Sequence, residues 1–395
     1  MKKLSFNKLE RKNNSAGGFD YIVRSVKPHT EGLTELSNSF IENGFHFENI
    51  DISNIDSETS LIVSISVIDM DDFVLLEHIK SILNKDCKNI FIELSCYDHQ
   101  EIDIRLYEFC RQNCNKELWF IDKNMLKVAD DCLFFEHHCW HTNMYMPKYK
   151  DSFNQLNGWL EKFQKPHKGL FLAGHIRFHK IELLNYLYEN NLLDENFIWS
   201  SVDETFQSDN FREFIPERDE ETYRSFKILE RLPNMQDFDL FDEWKYHNYP
   251  AHINYMNYFN SYFEVVPETH FYDRTNLRGG TKNTRKDWVS ISEKTCKALR
   301  MNIPFIMLSK ANTVKLLTER FGFDVSLDFW DHDYDLIENN VERMSAIKSK
   351  LKSILEIPKN ELHDFYYKYF NDKKNYDIFI QNFYYKPLNE IWNKF

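Results

Sequence analysis

The sequence predicts an α/β fold in two lobes, each built around a parallel β-sheet. The chain has 395 residues, more than one ordinary hydrophobic core accommodates, so two domains are expected. Short runs rich in Ile, Val and Phe alternate with stretches of helical periodicity, and this alternation is typical of βαβ units. Gly and Pro are few, at 10 each, which disfavours a turn-rich all-β sandwich.

Residues 1–150 form the predicted first lobe. Apolar runs predict buried strands at Phe19–Val23, Leu61–Val67, Asn89–Leu94 and Leu118–Ile121. Helical periodicity predicts helices over Leu33–Asn43 and Asp72–Leu83. The second of these helices would bury one face, made of Phe73, Leu76, Ile79 and Leu83.

Residues 165–358 form the predicted second lobe, which follows a polar boundary segment at Pro147–Lys168. Strands are predicted at Gly169–Ala173, Tyr262–Val266 and Pro304–Leu308, and helices at Lys180–Asn190, Ser292–Arg300, Ala311–Phe321 and Ile337–Leu355. A C-terminal helical segment, residues 359–395, completes the prediction, with helices at Glu361–Phe370 and Tyr376–Lys386.

The charge is negative overall but positive in one segment. A formal charge of −13 and a pI near 5.6 disfavour binding to nucleic acid or anionic membranes unless basic residues gather locally. They do so in residues 274–300, where eight basic and two acidic residues give 8 − 2 = +6. Within it, the loop Asp273–Trp288 has adjacent glycines, so it is interpreted either as a solvated loop or as a lid that closes on an anion.

The cellular setting is predicted from what the sequence lacks. Seven Cys, an odd number at irregular spacing, fit reduced thiols better than a disulfide framework. No apolar stretch follows the charged N-terminus, and no run of about 18 apolar residues suggests a membrane span. A cytoplasmic protein without a membrane span is therefore expected.

The segment from Tyr262 to Asp335 has the most specific chemistry. Ser292 precedes a predicted helix and is a suitable N-cap. A helix N-terminus offers free N–H groups and partial positive charge to a diphosphate, and Lys294 would add a full charge. The carboxylate of Glu293 suits the vicinal hydroxyls of a ribose.

This segment and the one that opens the second lobe resemble the C-terminal lobe of GT-B glycosyltransferases, in particular the fucosyltransferase-like group and related phage glycosyltransferases. The matching residues are Glu268–Thr269, Ser292–Thr295, Lys297, Pro304–Ile306, Gly322–Phe323, Asp333–Asp335, Arg343 and the element Gly174–Lys180, in which Lys180 stands where a second arginine is usual. The resemblance covers roughly residues 169–355. It implies two Rossmann-like lobes and a nucleotide-sugar donor.

The same resemblance implies roles for individual residues. Glu293 would bind the donor ribose, and Lys294 and Arg177 its phosphates, since Arg is suited to clamping a leaving diphosphate. The remaining residues predicted to bind the donor are His179, Glu268, Ser292 and Arg285. No DxD motif in a strand context stands out, because Asp331–Asp333 belongs to the loop that leads into the matching residues Asp333–Asp335. The prediction is therefore that neither a divalent metal nor a cofactor is required.

The acceptor hydroxyl needs a general base, and the first lobe offers candidates. Glu136 and His137, with His138, follow the strand-like run Cys132–Phe135. The neighbouring Cys and His residues, with Cys110 and Cys114 upstream, suggest zinc at first sight, but their spacing fits no standard finger.

Three functions remain open from the sequence. The first is a glycosyltransferase that acts on a saccharide or another hydroxyl acceptor. The second is a glycosyltransferase that modifies DNA at a modified base, with the basic segment 274–300 as the contact. The third is a GT-B binding module without turnover. The structural alternative for Glu293 and Lys294 is an ordinary acid and a solvated lysine on a surface helix.

Overall fold

The computed structural model describes most of two compact units. The described residues are 1–13, 19–25, 36, 40–41, 43–65, 73–93, 104–122, 129–135, 164–174, 178–193, 197–201, 255–268, 271, 289 and 291–395. Unit 1 comprises Met1–Trp140 with Asn382–Phe395, and unit 2 comprises His141–Gln381. Each unit is described by itself below.

Unit 1 contains a largely parallel seven-stranded sheet. Its strands are β1 (Lys2–Asn13), β2 (Phe19–Ser25), β3 (Phe47–Asn49), β4 (Thr59–Ile65), β5 (Asn89–Glu93), β6 (Glu117–Asp122) and β7 (Cys132–Phe134). Their order is β2-β1-β4-β5-β6-β7, and β3 pairs with β1 as well. The β1–β2 pair is antiparallel and the other pairs are parallel. Helix α1 (Phe73–Leu83) connects β4 to β5, and α2 (Ile104–Asn113) connects β5 to β6.

Strand β1 was not among the predicted strands, although it lies inside the sheet. Its apolar side chains Leu4 and Phe6 are buried, but so are the polar side chains Ser5 and Asn7. The Asn7 amide donates to the Ser5 carbonyl and to Ser5 Oγ, both at 3.0 Å. The polar residues therefore satisfy one another locally, which makes their burial tolerable.

The buried face of helix α1 differs from the face predicted for Asp72–Leu83. The buried side chains are Leu75, Ile79, Ile82 and Leu83. Phe73, which was predicted to be buried, is 72% exposed. The core-facing stripe is therefore rotated from the prediction, because periodicity alone fitted two overlapping sets of apolar residues.

Unit 2 contains a four-stranded sheet that is parallel throughout. Its strands are β8 (His167–Gly174), β9 (Phe197–Ser201), β10 (Ser261–Pro267) and β11 (Phe305–Leu308), in the order β11-β10-β8-β9. Its helices are α3 (Phe178–Glu189), α4 (Tyr255–Asn260), α5 (Glu293–Arg300), α6 (Thr313–Phe321), α7 (Asn340–Glu356), α8 (Lys359–Asp372) and α9 (Asn375–Ile378). A 3₁₀ turn spans Asp333–Leu336. Every residue of β10 and β11 is buried, so the core of the unit lies around these strands.

The strand order of unit 2 creates a switch point between β8 and β10. From β8 the chain passes through α3 to β9 on one side, whereas from β10 it passes through α5 to β11 on the other side. The two connections therefore diverge at the carboxyl ends of these neighbouring strands. In open parallel sheets this is where ligands bind.

Among the described strands of unit 2, β11 is at the edge of the sheet, and residues 330–334, which lead into the 3₁₀ turn, cover its outer side. Trp330 Nε1 donates to the Phe305 carbonyl at 2.9 Å, and the Met307 N–H donates to Tyr334 Oη at 2.8 Å. His332 Nε2 donates to the Val325 carbonyl at 3.2 Å, so its Nδ1 accepts from Tyr334 Oη at 2.8 Å. Backbone groups of β11 are thus paired with buried side chains.

The C-terminal residues Asn382–Phe395 belong to unit 1, and they include most of a π-helix at Phe379–Tyr385 and all of helix α10 (Lys386–Lys394). The Phe395 ring packs on Phe91 at 4.3 Å between centroids, and Trp392 packs on Phe40 at 5.1 Å. Lys88 Nζ donates to the Phe395 carbonyl at 3.0 Å. Residues 382–395 are therefore part of the core of unit 1.

The structure confirms the coarse prediction of a mixed α/β fold with parallel sheets. The arrangement of two lobes stays a prediction, as do the domain limits 1–150, 165–358 and 359–395. By their contacts, the residues of the predicted C-terminal segment are shared between the two units. In the described part of the chain no helix is long and apolar enough to cross a bilayer.

Candidate functional site

The candidate site lies at the carboxyl ends of β8 and β10. Four residues predicted to bind a donor are described there: His179 in the first turn of α3, Glu268 directly after β10, and Ser292 and Lys294 at the start of α5. The fold thus brings the ends of two strands and the starts of two helices to one edge of the sheet. It does so although His179 and Lys294 are far apart in sequence.

Ser292 is the N-cap of α5, as predicted. Its backbone is extended, with φ −124° and ψ −175°, and its Oγ accepts the Lys294 N–H at 3.4 Å. Lys294 Nζ also lies 3.4 Å from Ser292 Oγ. A lysine ammonium is thus folded over the positive end of a helix. Glu293 is the first residue of α5, but its side chain lies outside the described part of the structure.

Glu268 accepts hydrogen bonds from two residues at the start of α5. Its side chain is buried, and Oε1 accepts the Ser292 N–H at 3.0 Å and the Thr295 hydroxyl. Its own N–H donates to the Leu308 carbonyl at the end of β11, at 3.0 Å. Glu268 therefore connects β10, β11 and α5 at one point.

His179 connects the other helix to the same point. Its ring is buried, and Nε2 donates to the Glu268 carbonyl at 2.9 Å, because a carbonyl can only accept. The ring also stacks on Phe271, with 5.5 Å between centroids and 20° between planes. These contacts are internal to unit 2 and fix α3 against the residues that follow β10.

The neighbouring helix α6 has its N-terminus already occupied by a carboxylate. Asp335 Oδ2 accepts the Lys315 N–H at 3.0 Å, and the Asp335 side chain is buried. Burial raises the pKa of the Asp335 carboxyl to about 6, against the opposing effect of the backbone N–H groups of α6. An internal anion therefore takes the position that a ligand could otherwise use.

Arg343, which the family resemblance singled out, makes its bonds inside the protein. The buried guanidinium donates to the carbonyls of Ser309 (3.2 Å), Phe271 (2.9 Å) and Ile337 (2.8 Å). It also lies 4.5 Å from the centroid of the Phe271 ring. Arg343 thus fixes the segments that follow β10 and β11 relative to the start of α7.

Glu264 is a buried acid on β10, and it precedes Glu268, which follows the same strand. The Tyr258 hydroxyl donates to its Oε1 at 3.2 Å, whereas its Oε2 has no hydrogen-bond partner among the described residues. Burial raises the pKa of the Glu264 carboxyl to about 8, although Lys297 and the Tyr258 hydroxyl act in the opposite direction. At neutral pH the carboxyl is therefore mainly protonated.

Several predicted residues lie outside the described part of the chain. These are the base candidates Glu136 and His137, the phosphate ligand Arg177 and the lid residue Arg285. The loop 273–288 and the His and Cys residues at 137–141 lie outside it as well. Among the described residues, no group of three His, Cys, Asp or Glu side chains is arranged to hold a metal ion.

Comparison with known proteins adds little to these observations. No protein-family model matches the chain, and no curated protein matches it. Among solved structures, α,α-trehalose 6-phosphate synthase from Burkholderia multivorans has a TM-score of 0.34 and 9% sequence identity, over 91% of this chain and 75% of that chain. A likeness of this size does not establish a shared fold.

Proposed function

We propose that this protein is a glycosyltransferase that binds a nucleotide-sugar donor at the switch point of unit 2. The acceptor is a saccharide or another molecule with a hydroxyl group. In the reaction the acceptor oxygen forms a bond to the anomeric carbon, the bond from that carbon to the diphosphate breaks, and the hydroxyl proton passes to a base. The proposal extends the motif resemblance of residues 169–355 to activity.

The observation that supports the proposal most directly is the position of Lys294. A cation in the first turn of a helix opposes the helix dipole and costs a few tenths of a kcal/mol to about 1 kcal/mol. Here the Lys294 ammonium lies 3.4 Å from the N-cap hydroxyl of an eight-residue helix. Departures from local preference are expected at functional sites, and a cation at this helix start would attract a bound anion together with the N–H groups of the helix.

The comparison with α6 strengthens this argument. Both helices start at the carboxyl edge of the same sheet and both have a lysine in the first turn, Lys294 in α5 and Lys315 in α6. In α6 the first-turn N–H groups receive the Asp335 carboxylate. In α5 the carboxylate of Glu268 instead accepts from the N-cap N–H and from Thr295 Oγ. Helix α5 is therefore the better candidate for an external phosphate.

Three of the remaining roles follow the family resemblance: Lys294 and Arg177 neutralise the departing diphosphate, and Glu293 binds the ribose hydroxyls. Two further roles follow from the sequence alone, a basic loop in which Arg285 closes over the diphosphate and a base in the first lobe. Stabilising negative charge on the leaving group is the main electrostatic task of such a site, and two cations with a helix N-terminus supply it without a metal. Glu136 or His137 accepts the proton of the acceptor hydroxyl.

The first test is the effect of Lys294→Ala on thermal stability with and without ligand. Without ligand the melting temperature should change little, because a half-buried first-turn lysine contributes at most about 1 kcal/mol to the stability of a helix. With UDP, GDP, ADP or dTDP, whichever stabilises the wild type, the ligand-induced rise should be lost. Losing one charge-assisted contact costs about 2 to 3 kcal/mol in binding.

Lys315→Ala is the matched control for this test. Lys315 is an exposed first-turn lysine of α6, whose N-terminus already receives Asp335. It should leave the ligand-induced rise unchanged. If Lys294→Ala behaves like Lys315→Ala, the diphosphate does not bind at α5.

The second test concerns metals. Donor hydrolysis and glycosyl transfer should continue in EDTA, since the proposed site uses Lys294, Arg177 and the start of α5 as its cations. Activity that disappears in EDTA and returns with Mn²⁺ or Mg²⁺ would contradict metal independence. Binding of the nucleotide without any donor hydrolysis or transfer would identify a binding module instead.

A DNA acceptor is the second candidate, supported by the +6 charge of residues 274–300 in a chain of net charge −13. Binding through this segment would weaken steeply with salt. Charge reversal at Arg285 and Lys286 should then abolish retention on DNA at low salt, whereas a saccharide acceptor predicts no retention in the wild type.

A further inference from the structure

We infer that Glu268 is a positioning residue that sets the start of α5 against α3, and that it is not a ligand of the donor. For its effect on a ligand the inference rests on the function proposed above. For its effect on the protein it stands on the described contacts alone.

The described contacts of the carboxylate are with groups inside unit 2. Glu268 is 1% exposed, and its Oε1 accepts both the Ser292 N–H at 3.0 Å and the Thr295 hydroxyl. Ser292 and Thr295 are buried as well, at 2% and 0% exposure. Buried donors need acceptors, and the carboxylate is the described acceptor of the Ser292 N–H and the stronger of two acceptors near the Thr295 hydroxyl, the other being Met307 Sδ at 3.6 Å.

The backbone of Glu268 makes the second half of the connection. Its carbonyl accepts from His179 Nε2 at 2.9 Å, and its N–H donates to the Leu308 carbonyl at 3.0 Å. The side chain thus bonds to α5, while the main chain bonds to α3 and to the end of β11. A residue bonded in this way determines the spacing of the two helix starts that border the switch point.

A carboxylate is suited to this position because it can accept two hydrogen bonds at one oxygen and bears a negative charge below the N-cap. That charge is unfavourable for a phosphate at the same helix, which argues against direct contact between Glu268 and the diphosphate. A positioning role and a ligand role for Glu268 therefore predict different effects on diphosphate binding when the charge is removed and the acceptor oxygen is kept.

The test compares Glu268→Gln with Glu268→Ala in binding of the nucleoside diphosphate that stabilises the wild type. The amide oxygen of Gln can accept both bonds, so Glu268→Gln should bind the diphosphate as tightly as the wild type or more tightly. Glu268→Ala should bind it about tenfold more weakly, while its affinity for the corresponding nucleoside stays within about twofold. Equal weakening in both variants would show that the carboxylate contacts the ligand and would overturn the inference.

Thr295 supplies a milder pair of variants in case Glu268→Ala does not fold. Thr295→Ser keeps the hydroxyl that Glu268 accepts from, and Thr295→Val removes it with little change in shape. The positioning role predicts weaker diphosphate binding in Thr295→Val only. If the two variants bind alike, the contact with Glu268 does not position the site.

Hydrogen exchange separates this inference from the proposed function. Without any ligand, the amides of residues 292–296 should exchange faster in Thr295→Val than in Thr295→Ser or the wild type. If no nucleoside diphosphate binds the wild type, the proposed function fails, and this exchange result alone decides the positioning role. Unchanged exchange in Thr295→Val would refute it.

Discussion

Buried ionisable side chains in unit 2 differ in what surrounds their charge. Arg343 donates to several carbonyls, whereas Asp335 accepts from the N–H groups of a helix, which oppose the rise of its pKa that burial causes. Glu264 receives one hydroxyl, and its other oxygen has no partner among the described residues. Its surroundings therefore favour the neutral acid.

Glu264→Gln should change how stability depends on pH. The folded state keeps the Glu264 proton up to a pKa of about 8, whereas the unfolded state releases it near the ordinary glutamate pKa of 4.5. Between these values the folded state binds more protons, so this group lowers the free energy of unfolding as pH rises, by up to about 1.4 kcal/mol per pH unit. The variant lacks this contribution.

Urea unfolding at pH 5, 7 and 9 measures the effect. The unfolding free energy of Glu264→Gln, relative to that of the wild type, should increase from pH 5 to about pH 8 and change little above it. Glu361→Gln, at an exposed position of α8, controls for the change in net charge. A difference that does not vary with pH would mean that Glu264 is ionised in the folded protein at neutral pH.

At the scale of single residues, the sequence predicted helix caps better than it predicted hydrogen-bond partners. Ser292 was identifiable as an N-cap because Ser before a helical pattern has a local cause. The bond between Glu268 and Thr295 spans 27 residues, so no local rule points to it. For the same reason Glu268 and His179 were predicted as donor ligands although their described bonds are internal to unit 2.

Helices and strands of unit 2 were predictable to within a few residues where apolar periodicity met a clear start or stop signal. Strand β10 was expected at Tyr262–Val266 and spans Ser261–Pro267, and α6 was expected at Ala311–Phe321 and spans Thr313–Phe321. Strand β1 was missed because Ser5 and Asn7 interrupt its apolar pattern, and their burial depends on a mutual hydrogen bond.

Helix α6 ends at Gly322, which gives a test of its stop signal. Gly322 has φ 81° and ψ 17°, and its N–H donates to the Thr318 carbonyl at 3.0 Å. Gly322→Ala should lower the unfolding free energy by about 1 kcal/mol, because a Cβ disfavours this left-handed backbone. Gly322→Asn should cost clearly less, since Asn tolerates the conformation. Equal costs in urea unfolding would point to a lost packing contact instead.

At the scale of the whole molecule, the sequence predicted sheets and amphipathic helices but not which helices join which unit. The last predicted helix, Tyr376–Lys386, ends where α10 begins, and periodicity would not in any case identify the surface that such a helix covers. The partners Phe40 and Phe91 are some 300 residues or more from Trp392 and Phe395, and only the folded chain brings them together.

Deletion of residues 382–395 should therefore destabilise unit 1. It would expose Phe40 and Phe91 and remove the acceptor of Lys88 Nζ. We expect faster amide exchange in β4 and β5, whose slow exchange reports on the core of the unit. Strands β10 and β11, which belong to unit 2, are the internal reference. Unchanged exchange in β4 and β5 would mean that the segment only lies on the surface.

The cover on β11 also bears on how the protein behaves in acid. A terminal strand with unpaired N–H and C=O groups is a template for strand addition from a second molecule, and buried Trp330 and Tyr334 occupy such groups here. Burial lowers the pKa of His332, which accepts from Tyr334, to about 4. Its stabilising contribution is complete above pH 6.5 and is lost as the pH falls toward 4. We therefore expect the cover on β11 to lose stability as the pH falls below 6.5, and self-association through this strand, measured by light scattering at pH 7 and pH 4, is the expected consequence.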